Sequence, residues 1–231
     1  DLLGARMLEF ELRAVRGKGG RVVCRLLGYV ASKPVSVVHL LGATVALVGI
    51  LMIGPRIGRF GVDGTVRALQ ESSIGLTLLG VLLLWFGWWG FNGGSHLALT
   101  DSVPGTILTT NLSGAAGLVG AGLTAYLLHG RYAMNTKLVG GAIGGLVAVT
   151  PGADVLTPLG ALATGLIAGW IYAEGFDALL RRRVDDALGV IPAHGFCAIW
   201  GLVALALFAP AGTFEQGRGP QVIIQVFGAL V

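Results

Sequence analysis

The sequence predicts an all-α polytopic membrane protein, and three observations carry that prediction. Of 231 residues, 54% are hydrophobic and only 12% charged, with a mean hydropathy of +0.79; soluble domains carry about 25% charged residues. The charges gather in short loops and leave apolar runs of membrane length between them. Glycine is abundant, at 39 residues, without a Gly-X-Y period. It recurs as Gly140-x-x-x-Gly144, Gly141-x-x-x-Gly145 and Gly165-x-x-x-Gly169, the spacing that lets membrane helices approach closely.

Residues 1–35 stand apart. They hold seven basic residues, Arg6, Arg13, Arg16, Lys18, Arg21, Arg25 and Lys33, and no run long enough to span. The first residues are acidic and mixed, so they do not read as a signal peptide. The first span is 36–54, closed by the GPRIGRFG loop. The second is 73–91 and ends in WFGWWGFNGGS; the third runs from Pro104 to Leu128. The fourth, 138–150, is rich in glycine and too short to cross without help from its neighbours or the TPGAD segment that follows. The fifth is 156–175 and the sixth 188–209. A last apolar stretch, QVIIQVFGALV, reads as the beginning of a further helix. The expectation is thus about six spans and a truncated last helix.

Loop charge sets the orientation. The loops after the first, third and fifth spans hold Arg56, Arg59, Arg67, Arg131, Lys137, Arg181, Arg182 and Arg183, whereas the alternate loops hold Arg218 alone. Basic loops stay cytoplasmic, so loops 96–103, 152–155 and 210–220 face outward. The alternation requires the short fourth segment to cross. It also puts residues 1–35 outside with their basic side chains on the wrong face. That stretch reads either as a basic amphipathic tail or as non-native sequence, and the transmembrane domain begins at residue 36.

Two histidines organise the chain. His39 and His194 each lie near the start of an apolar span, and each is followed by a proline sixteen positions on, Pro55 and Pro210. Matched layouts of this kind mark an internal repeat. A histidine in hydrocarbon usually faces a partner or a cavity, so the two imidazoles are expected to meet. A neutral imidazole donates from one nitrogen and accepts at the other, so a pair can share a proton and offer polar contacts to a small solute in a dry pore. A bis-histidine haem is the rival use, although His96 and His129 lie at opposite membrane faces. In WFGWWGFNGGS, residues 85–95, an aromatic belt is the plain reading. The glycines around Phe91 and Asn92 suggest instead a close-packed mouth with Phe91 as a block, Ser95 as an acceptor, and aromatic faces open to a cation. Asp185 and Asp186 read as an acidic helix start, with Arg181 to Arg183 as cytoplasmic anchors. Thr109, Thr110, Asn111, Thr150 and Pro151 read as satisfying backbone or interhelical contacts.

Other classes fall away. Cys24 and Cys197 lie in dissimilar surroundings and form no disulfide or metal spacing. There is no Gly-rich phosphate loop or nucleophile elbow, so neither an enzyme nor a cofactor is expected. The net charge of +4 follows from loop topology rather than nucleic-acid binding.

Four motifs, in order, resemble the ammonium transporter family (Amt/MEP/Rh), and its Amt branch in particular. VVHLLGATVALVG is similar to a VVH-x-x-x-G-x-x-A-L helix, and WFGWWGFNGGS to WFGWFGFNxGS. GGLVAVTPGAD is similar to an AGLVxxTP segment, and VDDALGVIPAHGFCAIWG to a DD-x-hydrophobic-HG-x-x-GIWG segment. The likeness covers residues 36–210. It implies a bundle of two inverted five-helix repeats plus an eleventh helix, of which this chain carries the fifth helix to the start of the eleventh. It also implies His39 and His194 as twin pore histidines, Trp88 as a pore-lining tryptophan, Phe91 as one of two gating phenylalanines and Ser95 as the serine of an outer recruitment site. Three departures accompany it. The first four helices, with the second gating phenylalanine, have no counterpart. Ala31 stands where the family has an aspartate eight residues before the histidine, and Gly189 where many members have a further acid.

What the resemblance implies is conduction of ammonium or ammonia across a bilayer by a homotrimer, with a PII-type regulatory protein as a cytoplasmic partner and a bacterial plasma membrane as the location. The alternatives are an ammonium-sensing membrane module of the same fold and a non-conducting fragment, since one repeat plus one helix does not enclose a pore that lies between two repeats.

Overall fold

The computed structural model describes residues 35–69, 72–129, 134–214 and 217–230; the basic stretch 1–34 lies outside the described residues. Seven α-helices form the described part, and an isolated bridge between Phe60 and Val66 is its sole β feature. Helix α1 (Leu41–Ile53) is preceded by a π-helical segment, Val35–Leu40. Helix α2 (Ile74–Gly94) starts at Ser73, whose hydroxyl accepts from the Leu76 amide at 3.3 Å. Helix α3 (Val103–Thr124) runs on through a π-helical segment, Ala125–His129. Helix α4 (Met134–Val149) continues as a 3-10 turn, Thr150–Gly152. Helix α5 (Pro158–Arg181) is capped by the Thr157 hydroxyl and has proline in its first turn, where a missing amide costs nothing. Helix α6 (Cys197–Phe208) follows a π-helical segment, Ile191–Phe196, and α7 (Arg218–Leu230) packs on α6.

Four of these elements, Ile74–Gly94, Val103–Leu128, Pro158–Arg181 and Ile191–Phe208, are long and apolar enough to cross a membrane. Val38–Ile53 and Lys137–Gly152 are shorter apolar helices. The six coincide in position and order with the six expected spans, and four of them have the length and apolarity to cross. The short fourth one continues through the TPG turn. Helix α5 runs six residues past the expected boundary at 175, because the helix continues to Arg181 after hydropathy drops at Glu174 and Asp177. A cation in its last turn suits the negative end of the helix dipole.

The centre of the molecule is three helices packed almost backbone to backbone. A methyl group at Gly141 would strike the Ala121 Cβ and the Gly117 carbonyl oxygen, and one at Gly145 would strike the Ser113 carbonyl oxygen. From the other side, methyls at Gly165 and Gly169 would strike the Ser113 and Gly117 carbonyl oxygens. One turn of α3 is therefore gripped by α4 and α5 together. The Ser113 hydroxyl reinforces the grip by donating to the Gly145 carbonyl at 2.8 Å. Hydrocarbon provides no hydrophobic drive between helices, so close packing and such bonds carry the association. Around this trio lies a core that includes Leu146, Val147, Ala168, Tyr172, Cys197, Ala198, Leu202 and Trp88. Cys197 is buried and its thiol lies 3.3 Å from the Ala168 carbonyl. The outward faces of α1 and α2, among them Val45, Val48, Leu51, Leu79, Leu82 and Leu83, are apolar and exposed, as a surface in hydrocarbon requires.

The acidic pair before α6 divides its work. The Asp186 carboxylate accepts from the Ile191 amide at 2.6 Å, in keeping with an acidic helix start. Asp185 turns instead to Arg56 in the loop after α1. Sequence order separates those two residues by 129 positions, which is why local reading assigned the aspartate to its own helix.

Candidate functional site

The two expected histidines meet. His194 Nδ1 lies 3.1 Å from His39 Nδ1, with ring centroids 5.1 Å apart. Each comes from a π-helical segment at the start of its helix, and the wider turn of such segments is frequent at functional sites. The helices approach closely there: a methyl built on Gly195 would lie 3.3 Å from the Ala43 Cβ. His39 is buried, 5% exposed, and His194 half-buried.

An Nδ1–Nδ1 hydrogen bond constrains the protons. One ring must donate and the other accept, so two neutral imidazoles must be in opposite tautomers. The accepting ring then carries its proton on Nε2, and the donating ring has a bare Nε2. The pair therefore presents one donor and one acceptor at its outer nitrogens. His39 Nε2 is buried without a protein partner, so that capacity is unspent.

Aromatic rings close one side. Trp88 stacks on His39 at 5.4 Å with the planes 10° apart, and lies 6.5 Å from His194. Phe91 packs on both His39, at 5.5 Å, and Trp88, at 5.8 Å. Thr150 holds the tryptophan: its hydroxyl accepts from the Trp88 indole at 3.0 Å while donating to the Leu146 carbonyl at 2.8 Å. Ser95 sits one turn beyond Phe91 at the exposed end of α2, and its hydroxyl donates to the Phe91 carbonyl at 2.6 Å. Phe91, Trp88 and the imidazoles thus form one cluster, and Ser95 stands outside it.

The other tryptophans are not merely a belt. Trp85 and Trp89 both donate to the Asn111 carboxamide oxygen, each at 2.8 Å, and Asn92 donates to the Thr110 hydroxyl at 2.9 Å. These bonds fix the face that α2 turns toward α3, and with it the direction of Trp88. Thr150 makes both of the contacts its sequence reading expects, one to backbone and one between helices, while the identity of its partner Trp88 was not legible in sequence. The TP turn beside a tryptophan-rich helix end is the signal that could have found it.

The Nδ1–Nδ1 contact leaves no room for a metal between those two nitrogens. Metal–imidazole bonds are about 2 Å long, so two axial nitrogens stand about 4 Å apart with the metal between, whereas these nitrogens are in direct contact. Among the described residues no group of three or more His, Cys, Asp or Glu side chains could hold a metal ion.

Known proteins share this architecture. An archaeal ammonium transporter, Amt2 of Archaeoglobus fulgidus, is 40% identical over 174 residues, covering 75% of this chain and 37% of its own length. A putative ammonium transporter of Synechocystis is 38% identical over 198 residues, covering 84% of this chain and 36% of its own. Among solved structures, a sensor Amt protein superposes with a TM-score of 0.81 at 32% identity, over 85% of this chain and 49% of that one. The chain spans less than half the length of each of these relatives. The model of the Ammonium Transporter Family matches residues 30–231. The protein is an integral membrane protein, and it belongs to the Ammonium Transporter Family.

Proposed function

We propose that this chain forms one wall of a path for ammonium or ammonia across the bilayer, lined by His39, His194 and Trp88, gated by Phe91 and entered past Ser95. The observation that carries the proposal is the imidazole pair itself. Two membrane helices bring their histidines into direct contact, Nδ1 to Nδ1 at 3.1 Å, beside a stacked tryptophan. The pair offers a donor and an acceptor in an otherwise apolar setting. Ammonia both donates and accepts, so it can pass from one outer nitrogen to the other without leaving either solute or imidazole unpaired. Ammonium approaching from outside would meet the π-faces of Trp88 and Phe91, which attract a cation for roughly 0.5–2 kcal/mol. A proton surrendered at the mouth can return through the paired rings. It adds to the bare Nε2 of the donating ring, and that ring passes its Nδ1 proton to the accepting ring. The accepting ring then releases its Nε2 proton, which leaves both rings neutral with their tautomers exchanged.

The same reading carries a homotrimer, a PII-type protein at the cytoplasmic face and a bacterial plasma membrane, and it assigns the protein no enzymatic role. A second reading is ammonium sensing through the same fold, for which the one support is the likeness to a solved sensor Amt protein.

The test is ammonium-evoked flux in proteoliposomes bearing the intact protein. His194→Ala is expected to abolish it or change its selectivity while assembly is retained. Unchanged flux and selectivity would contradict the pore role.

A further inference from the structure

Helix α1 itself, Leu41–Ile53, has Ala43 as its one buried side chain among the described residues, whereas His39, in the π-helical segment before it, is buried. Packing therefore locates the histidine end but does little for the part of the helix beyond Ala43. A helix held at one end only can still tilt and roll, and either motion would shift two nitrogens that need to stand about 3 Å apart. A second fixed point is present at the inner end, beyond Ile53.

There the Asp185 carboxylate receives three donors from one residue. Arg56 Nε donates to Oδ2 and Nη2 to Oδ1, each at 2.8 Å, and the Arg56 backbone amide donates to Oδ2 at 2.9 Å. Arg59 adds a fourth group, its Nε standing 3.3 Å from Oδ1. The Asp185 side chain is 0% exposed and that of Arg59 7%. A bidentate fork fixes direction as well as distance. The loop that presents it is itself ordered. Phe60 and Val66 pair, Asp63 accepts from the Thr65 amide at 3.1 Å, and Arg59 Nη1 donates to the Arg67 carbonyl at 2.7 Å. On the other side, Asp185 is joined to His194 by a hydrogen-bonded turn: Asp186 accepts from Ile191, and the Ala193 amide donates to the Gly189 carbonyl at 3.1 Å.

We propose that the clasp of Asp185 by Arg56 and Arg59 is a positioning device that sets the register of the two histidine-bearing helices and thereby the His39–His194 hydrogen bond. Its functional weight rests on the conduction path proposed above, whereas its geometry can be read without any flux.

The experiment uses the intact protein in bilayers with ¹⁵N-labelled histidine, and it reads the nitrogen–nitrogen coupling across the Nδ1–Nδ1 bond. Asp185→Asn removes the charge that draws both arginines. It is expected to lower the population of paired imidazoles about tenfold, the loss of one charge-assisted bond. Lys137→Gln breaks a different pair at the same end, Lys137 to Asp177 at 2.6 Å, and is expected to leave the coupling intact. Arg56→Lys, which keeps the charge and the backbone bond but loses the fork, is expected to lower the coupling by less than Asp185→Asn does. Should Asp185→Asn fail to fold, the double variant Arg56→Lys with Arg59→Lys retains every charge while it loses the Arg56 fork and the Arg59 Nε contact; reduced coupling there supports the clasp. Full coupling in Asp185→Asn or in the double variant, equal loss in Lys137→Gln, or no coupling in the wild type would overturn it. Flux that survives His194→Ala would sink the conduction reading and leave this result standing.

Discussion

An imidazole in contact with another through Nδ1 does not choose its tautomer alone, and the residues around the pair decide how firmly the contact is held. Thr150 is the clearest of these. Its hydroxyl is both the acceptor for the Trp88 indole and a donor to the Leu146 carbonyl, so it anchors the ring that stacks on His39. Thr150→Val keeps the shape and leaves a buried indole N–H unpaired, which costs about 1–3 kcal/mol. Thermal unfolding should fall accordingly, and ammonium flux should fall with it; an unchanged midpoint would show that the indole finds another acceptor. The histidine pair was legible in sequence because two apolar spans with the same sixteen-residue layout point to equivalent positions. The partner of Thr150 was not, because the bond to Trp88 joins residues 62 positions apart and a threonine near a proline has many local uses.

At the scale of elements, the small-residue spacing foretold the packing of α3, α4 and α5, although sequence could not say which carbonyls the glycines would cover. Gly145 and Gly169 face the Ser113 and Gly117 carbonyl oxygens. Gly145→Leu would drive a side chain into backbone that has no room to yield, and overpacking of this kind costs about 1–3 kcal/mol or more. Gly49→Leu, on α1 where nothing lies within 4 Å, is the matched control. Loss of folded protein from detergent chromatography is expected for the first and not for the second, and equal recovery would contradict the grip. Helix boundaries were less legible, since α5 outlasts its apolar run, and the clasp of Asp185 by Arg56 was invisible. Asp185 looks local in sequence and acts at long range. The Arg56 fork holds its carboxyl below the usual carboxylate range. A depressed folded value means the clasp stabilises the ionised form, so its contribution is present above about pH 4 and is lost as pH falls through the folded value. The stability difference between wild type and Asp185→Asn should therefore be flat above about pH 4 and shrink below it. A difference that grows on acidification would reverse the sign and refute the pairing.

At the scale of the molecule, the six apolar helices, their order and the meeting of the first with the last follow from a short list of sequence features: apolar length, loop charge and a repeated histidine. The structure gathers Arg56, Arg59 and Asp185 at one end of the bundle and the Phe91–Trp88–histidine cluster within it. The arrangement makes the two imidazoles one device rather than two residues. That is the central claim, and a double-substitution cycle tests it most directly. Ammonium-evoked flux would be measured in proteoliposomes for His39→Ala, His194→Ala and the pair together. Groups that act as a unit are grossly non-additive, so the double variant is expected to lose no more than either single one. Losses that multiply, or flux that survives either substitution, would contradict it.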